Sequence, residues 1–108
     1  KMIATILSQM FIAPGEIVCR YGGEEFCILL PDCSKKRAGQ LAEEVRKRIE
    51  AKTIILRREK THITVSCGVA AFPVDVHTKE ELVQKADVAL YEAKASGRNQ
   101  VVFAKEDK

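Results

Sequence analysis

The chain has few of the residues that interrupt or distort packed structure. Its 108 residues include three Pro, six Gly and no Trp, while hydrophobic residues make up 46% and charged residues 31%. This composition excludes collagen-like, low-complexity and disordered chains, and it is typical of a packed globular protein. The length is that of one ordinary domain, so residues 1–108 are predicted to belong to a single domain.

A large charge of one sign is also lacking. Eighteen Lys and Arg against fifteen Asp and Glu leave a net charge of +3. Surfaces that bind nucleic acid carry clustered basic stripes, so this small surplus argues against a nucleic-acid partner. It is compatible with a small anionic ligand.

The four cysteines form no C-x-x-C pair, and their spacing matches no zinc pattern. Three of them lie in apolar, strand-like surroundings, where a thiol behaves as a small hydrophobe. A reduced, cytoplasmic compartment is the simplest interpretation. The residues are Cys19, Cys27, Cys33 and Cys67.

No hydrophobic run is long enough to span a bilayer. The apolar N-terminal segment has the outline of a signal peptide, but Ser8 and Gln9 interrupt it. Its apolar residues follow the i, i+3, i+4 spacing of a helix with one buried face. They are Ile3, Ile6, Leu7, Met10 and Phe11.

The remaining pattern predicts an α/β sandwich in which helices pack on a mixed or mainly antiparallel sheet, rather than a doubly wound nucleotide fold. Ser34 is the expected N-cap of the second helix, and Thr78 and Glu81 form a capping box for the third, which Gly97 ends. Small residues at 64, 66, 68 and 70 predict a strand face that a helix approaches closely. The predicted strands are 17–21, 26–30, 53–58, 61–72 and 100–103, with turns at Gly22–Gly23 and Glu59–Lys60.

The segment Arg20-Tyr-Gly-Gly-Glu-Glu-Phe26 places two carboxylates beside a double-glycine turn. Adjacent carboxylates repel each other and have weak strand propensity, so the arrangement is locally costly. Bare glycines let a ligand approach the backbone, and carboxylate oxygens suit Mg²⁺ with a phosphate in its shell. The alternative is a surface hairpin whose glutamates face water, because short glycine motifs also match by chance.

A second motif, Ala93-Lys-Ala-Ser-Gly-Arg-Asn99, places two cations around a helix C-terminus. Lys94 and Arg98 are positioned to bind an anion at the edge of the sheet. Alternatively, they offset the helix dipole and have no ligand. His62 and His77 lack triad partners, and they and the loop residue Asp75 are given no role.

Taken together, these motifs resemble the GGDEF family of bacterial diguanylate cyclases. The hairpin resembles the family signature in its GGEEF form. Thr64-Val-Ser-Cys-Gly-Val-Ala70 is similar to the family's next strand, and Ala86 to Asn99 is similar to its A-D-x-A-L-Y-x-A-K-x-x-G-R-N helix. The resemblance covers essentially the whole chain.

The resemblance implies a fold like the palm of nucleotidyl cyclases and polymerases, and the condensation of two GTP into cyclic di-GMP with release of pyrophosphate. It also implies a GTP on each of two domains that meet as a homodimer, controlled by an upstream sensory or receiver domain. No nucleic acid and no direct membrane contact are implied. The domain is expected in the cytoplasm, even where the full protein is membrane-anchored.

The resemblance also implies roles for individual residues. Glu24 and Glu25 would act in catalysis and hold Mg²⁺, with two ions expected and Mn²⁺ as a substitute. Gly22 and Gly23 would let the nucleotide lie over the turn. Two cations, Lys94 and Arg98, would hold the β- and γ-phosphates.

Two departures from the family pattern qualify these expectations. The family's first strand and helix, with a metal-binding Asp and the residues that read guanine, have no counterpart here. The chain therefore corresponds to a C-terminal portion that is expected to be inactive alone, with a sheet that lacks a central strand. Ala13 and Glu16 occupy the positions of the family's inhibitory R-x-x-D product site, so no such site is expected.

Two other hypotheses remain. One is a catalytically inactive GGDEF-type module that senses GTP or a cyclic dinucleotide. The other is a structural or dimerisation unit whose surface carboxylates are merely solvated.

Overall fold

The computed structural model describes residues 2–20 and 25–105. Three helices and six short strands alternate along these ranges, which gives the mixed α/β class that the sequence predicts. In chain order they are α1 (Met2–Met10), β1 (Ile17–Arg20), β2 (Phe26–Leu29), α2 (Lys35–Ala51), β3 (Ile54–Leu56), β4 (Glu59–Thr61), β5 (Cys67–Val69), α3 (Leu82–Ala95) and β6 (Val101–Phe103). Within the described ranges, no helix is both long and apolar enough to cross a membrane.

The strands form three separate pairs. The β1–β2 and β3–β4 pairs are antiparallel, whereas β5 and β6 run parallel. The expected mixed, mainly antiparallel strand pairing is therefore confirmed. In the part of the chain that the structure describes, no strand joins β1–β2 to β5–β6.

The main core lies between α1, α2 and one face of the β1–β2 hairpin. Helical periodicity places Ile6 and Leu7 on the buried stripe of α1, as the sequence predicts. Val18, Phe26 and Ile28 from the hairpin pack against this cluster. The buried members are Ile6, Leu7, Phe11, Val45 and Ile49.

The caps of α2 and α3 follow the sequence signals. Ser34 Oγ accepts a hydrogen bond from the Arg37 N–H at 3.1 Å, which satisfies one of the free donors at the start of α2. The Glu81 carboxylate accepts from the Thr78 N–H at 3.4 Å. That contact opens a 3₁₀ turn, Lys79–Glu81, which leads directly into α3.

The small-residue strand face is confirmed at Gly68. A Cβ atom there would lie 2.1 Å from the Ala86 carbonyl oxygen and 2.4 Å from the Leu90 nitrogen, both in the backbone of α3. The neighbouring Cys67 thiol faces the other way, 3.9 Å from the Ala42 carbonyl of α2. Strand β5 thus lies between α2 and α3.

The predicted second hairpin is present as β3–β4, but the predicted turn and strand bounds are wrong. Its turn falls at Arg57 and Arg58, whose φ angles are 52° and 68°, and not at Glu59–Lys60. Leu56 pairs with Glu59, and Ile55 pairs with Lys60, so the predicted turn residues belong to a strand. The predicted long strand, 61–72, is much shorter in the structure. Strand β5 covers Cys67–Val69, and residues 62–66 do not belong to a strand.

Candidate functional site

The structure brings the signature hairpin and the C-terminal motif together. Glu25 lies directly before β2, and Lys94 lies in the last turn of α3. Lys94 Nζ is 3.4 Å from Glu25 Oε2, although the two residues are 69 positions apart. Their side chains are 37% and 36% exposed, so the ion pair itself adds little stability and both groups remain open to a ligand.

Each partner is positioned by a packed element. Phe26, next to Glu25, pairs with Arg20 across the hairpin and packs against the main core. Ala93, next to Lys94, is fully buried where α3 packs on the strands. The predicted site residues Gly22, Gly23 and Glu24 lie outside the described residues.

Arg98 follows directly on the glycine that ends α3. Gly97 has φ 117°, a conformation that favours glycine, and Arg98 follows at φ 65°. The Arg98 N–H donates to the Ala93 carbonyl at 2.9 Å, which folds the chain back over the helix end. Arg98 is exposed, and its guanidinium group makes no hydrogen bond to the described residues.

The corner that carries Arg98 is fixed by Asn99. The Asn99 N–H donates to Ser66 Oγ at 3.1 Å, and its side-chain amide donates to Glu50 at 2.8 Å. Arg46 of α2 donates to Asn99 Oδ1 at 2.9 Å. These contacts hold the Arg98–Asn99 backbone in its left-handed conformation.

Gln100 completes this support. Its side-chain amide lies 3.0 Å from the Ser96 carbonyl and 3.2 Å from the Ala93 carbonyl, and thus occupies acceptors that the end of α3 leaves free. Sequence reasoning missed Arg46 and Gln100. Both act through contacts that the local sequence pattern does not reveal.

Ion pairs with Glu43 and Glu50 hold the Arg46 side chain that contacts Asn99. The hydrogen bonds that Arg46 donates to the Glu43 carboxylate raise the pKa of Arg46, and the same contact lowers the pKa of Glu43. Arg46 is therefore a permanent cation that anchors Asn99. The neighbouring Cys67 is different, because burial raises the pKa of its thiol to about 11 and keeps it neutral.

The carboxylate of Glu25 has the hard oxygen donors that Mg²⁺ prefers, and it is accessible. Across residues 2–20 and 25–105, no three His, Cys, Asp or Glu side chains cluster as metal ligands. A metal site at this position would therefore need Glu24, the other predicted ligand, together with oxygen atoms from water or substrate.

The structure also describes His62, His77 and Asp75, for which the sequence predicts no functional role. His62 Nδ1 lies 3.0 Å from the Lys52 carbonyl, which is a structural contact. His77 is exposed in its loop. Asp75, predicted to be a loop residue without a role, is completely buried, and its carboxylate accepts a hydrogen bond from Lys35 Nζ at 2.7 Å.

Ala13 and Glu16, at the positions of the R-x-x-D motif, belong to one tight turn. The Ala13 N–H donates to the Glu16 carboxylate at 3.2 Å, and the Glu16 N–H donates to the Ala13 carbonyl at 3.1 Å. The Glu16 carboxylate thus contributes to its own turn.

An open groove of about 620 Å³ lies between α1 and α2. It is lined by apolar and polar side chains from both helices, and none is a predicted site residue. Its lining residues are Met2, Thr5, Ile6, Gln9, Arg48, Ala51 and Lys52.

Curated relatives match most of the chain. Diguanylate cyclase A of Treponema denticola is 40% identical over 90 residues, which cover 83% of this chain and 24% of that protein. The response regulator PleD of Caulobacter vibrioides is 42% identical over 89 residues, which cover 81% of this chain and 20% of PleD. The chain thus spans about a quarter or less of these relatives.

Solved structures agree on the fold. The GGDEF domain of DgcB from Caulobacter crescentus, solved in complex with c-di-GMP, superposes with a TM-score of 0.85 at 31% identity, covering 96% of this chain and 60% of that one. The active GGEEF domain of a diguanylate cyclase from Vibrio cholerae gives a TM-score of 0.84 at 29% identity, covering 98% and 66%. The family profile described as "Diguanylate cyclase, GGDEF domain" matches residues 1–100. This chain therefore belongs to the GGDEF family of diguanylate cyclases.

Proposed function

We propose that this chain is the catalytic domain of a diguanylate cyclase, which condenses two GTP into cyclic di-GMP for bacterial second-messenger signalling. The observation that carries the proposal is the contact between Glu25 and Lys94. It joins the acidic hairpin to the cationic end of α3, so a carboxylate that suits a metal and a cation that suits a triphosphate lie side by side. The names of the relatives support this activity.

The reaction would form two phosphodiester bonds between two GTP molecules. Each 3′-hydroxyl oxygen attacks the α-phosphorus of the other GTP, the α–β anhydride bond breaks, and pyrophosphate leaves. Such a transfer depends mainly on alignment and charge neutralisation. Two domains would meet face to face, each with one GTP, so the catalytic unit is a homodimer.

The chain's own residues would supply binding and proton transfer. Lys94 and Arg98 hold the β- and γ-phosphates, while Gly22 and Gly23 allow the nucleotide to lie over the turn. Glu24 and Glu25 hold Mg²⁺, and Glu24 accepts the hydroxyl proton. When bound, the metal offsets triphosphate charge and lowers the pKa of the hydroxyl.

An upstream sensory or receiver domain would control dimerisation of the two catalytic domains. Among relatives, PleD is named a response regulator, and the diguanylate cyclase SiaD was solved with its activator SiaC. A cytoplasmic location of the domain follows from the proposed substrate, because GTP is a cytoplasmic nucleotide.

The test of the activity is chromatography of nucleotides after the whole protein is incubated with GTP and Mg²⁺. We expect cyclic di-GMP from the wild type and none from Glu24→Ala, with an unchanged unfolding temperature in the variant. Glu80→Ala, an exposed carboxylate on the 3₁₀ turn, is the matched control and should retain activity. Binding of GTP without turnover by the folded wild type would instead indicate an inactive sensor.

Lys94 gives a second, independent test of the site. Lys94→Ala removes a charge-assisted contact to phosphate, so the KM for GTP is expected to rise about 10- to 100-fold. Lys36→Ala, which removes an exposed lysine of α2, should leave KM unchanged. Steady-state kinetics at several GTP concentrations separate the two, and equal KM values for both variants would remove Lys94 from the site.

Product inhibition is expected to be weak, because Ala13 has no guanidinium group to grip the product. Titration of cyclic di-GMP into the active whole protein measures this directly. Glu16→Ala should not alter the inhibition constant. Tight inhibition that disappears in Glu16→Ala would contradict the prediction.

A further inference from the structure

The β1–β2 hairpin carries two cysteines at one register position. Cys19 of β1 is directly opposite Cys27 of β2. Directly opposed residues in an antiparallel pair project to the same face of the sheet. The Cys19 thiol lies 3.6 Å from the Cys27 carbonyl oxygen, so it leans across toward its partner strand.

This arrangement suits a covalent link. Opposed residues in antiparallel strands have Cα atoms about 4.5 to 5.5 Å apart. A disulfide spans Cα separations of about 4.4 to 6.8 Å. Cys19 and Cys27 can therefore be joined without a change in strand register.

The pair is accessible and is separate from the core. Val18 and Ile28 occupy the other face of the hairpin and pack against the main core, whereas Ile17 and Leu29 flank the cysteines on the exposed face. Cys19 is exposed, and Cys27 is half-buried. Neither sulfur is part of a disulfide in the structure.

We propose that Cys19 and Cys27 form a dithiol modification site for low-molecular-weight disulfides of the glutathione type. The Cys19 thiolate attacks one sulfur of the disulfide and expels one small thiolate, which leaves a mixed disulfide on Cys19. The Cys27 thiolate, after losing its proton to solvent, attacks the Cys19 sulfur and expels the second small thiolate. Two protein thiols are thus oxidised to a disulfide, and one small disulfide is reduced to two thiols.

The order of attack follows from the surroundings of the two thiols. Cys19 is exposed, whereas Cys27 is half-buried, so a reagent in solution reaches Cys19 first. The position of Cys27 directly opposite Cys19 makes it the resolving thiol. Cys67 is excluded as a competitor, because burial keeps its thiol protonated.

A link between these residues would close a ring that runs from residue 19 to residue 27. That ring contains Gly22, Gly23 and Glu24, and Glu25 beside them contacts Lys94. A constrained hairpin is expected to change the cyclase rate reversibly. This consequence, unlike the modification itself, rests on the proposed function.

The test is mass spectrometry of the reduced whole protein after incubation with oxidised glutathione. The wild type is expected to lose two hydrogen masses and retain no glutathione, and peptide mapping should recover a Cys19–Cys27 link. Cys27→Ser should stop with one glutathione on Cys19. Cys67→Ser and Cys33→Ser, the matched controls, should form the same link as the wild type.

Folded wild-type protein that retains glutathione on Cys19, or that forms a link through Cys33, would overturn the proposal. This readout needs no turnover, so it is independent of the proposed function. Cyclase assays before and after reduction then test the consequence for the site. An unchanged rate in fully linked protein would contradict that consequence and leave the modification site standing.

Discussion

Asp75 shows how much a single residue can contribute to this fold. Its carboxylate accepts from Lys35 Nζ at 2.7 Å and from the Ala71 N–H at 2.8 Å, and it is fully buried. Lys35 also donates to the Ala104 carbonyl at 2.8 Å. One ion pair thus joins the start of α2, the loop after β5 and the end of β6.

Asp75→Ala is expected to lower the free energy of unfolding by about 3 kcal/mol, because it leaves the Ala71 N–H without its acceptor and the Lys35 ammonium group without its counter-charge. The estimate is at the low end for a buried pair, since the Lys35 side chain is 18% exposed and can turn toward water. Urea unfolding measures the difference.

Asp87→Ala is the control for that experiment. Asp87 lies exposed on α3. Its loss should change the free energy of unfolding by no more than about 0.5 kcal/mol. If the two substitutions had equal effects, the buried ion pair would contribute no more than an exposed carboxylate.

At the scale of elements, the contact between β5 and α3 is closer than side chains normally allow. Gly68 lets the helix backbone lie directly on the strand. This packing places α3, and with it Lys94 and Arg98, against the parallel β5–β6 pair. The position of the cations thus depends on a residue that has no side chain.

Gly68→Ala is expected to destabilise the protein by about 3 kcal/mol, because the new Cβ meets helix backbone at 2.1 Å and α3 must move away. The same shift should weaken GTP binding. Thermal unfolding and nucleotide titration measure the two effects.

Gly39→Ala on α2 is the matched comparison. Its Cβ would meet the Phe103 ring at 2.1 Å. That ring is 45% exposed and can turn aside. Since Ala is the better helix former by about 1 kcal/mol, a net effect within about 1 kcal/mol is expected. A larger loss at Gly39 than at Gly68 would contradict this account of the β5–α3 contact.

For the whole molecule, the three strand pairs differ in how they are supported. The β1–β2 pair packs on the main core, and β5–β6 lies against α2 and α3. In the β3–β4 pair, Ile55 and Leu56 are 73% and 62% exposed. This hairpin has the least buried surface to resist opening.

Hydrogen exchange should therefore be graded across the molecule. Amides of β3 and β4 are expected to exchange fastest among the strands, and those of β5 and α3 slowest, since local opening is easiest where little apolar surface is buried. Exchange followed by proteolysis and mass spectrometry resolves the segments. Equal protection of β3 and β5 would contradict the grading.

Local patterns in the sequence were sufficient for much of the fold. Apolar spacing predicted α1, and Ser34 predicted the start of α2, because helix periodicity and capping depend on residues a few positions apart. The turn at Arg57–Arg58 was missed, since these residues carry no glycine or asparagine signal for positive φ.

The candidate site was only partly predictable for a related reason. Sequence motifs identified the acidic hairpin and the cations Lys94 and Arg98, because each short motif consists of residues that are close together in the sequence. The support from Arg46 to Asn99 was not visible, because it joins residues 53 positions apart.

The sequence by itself determined the helices, the signature hairpin and the identity of the charged groups, because each depends on neighbours along the chain. Only the tertiary structure decided that Glu25 meets Lys94, that Asp75 is a buried anchor and that Cys19 is opposite Cys27. The physical reason is that burial and pairing depend on which distant segments share the same space. Local periodicity and propensity carry no information about that choice.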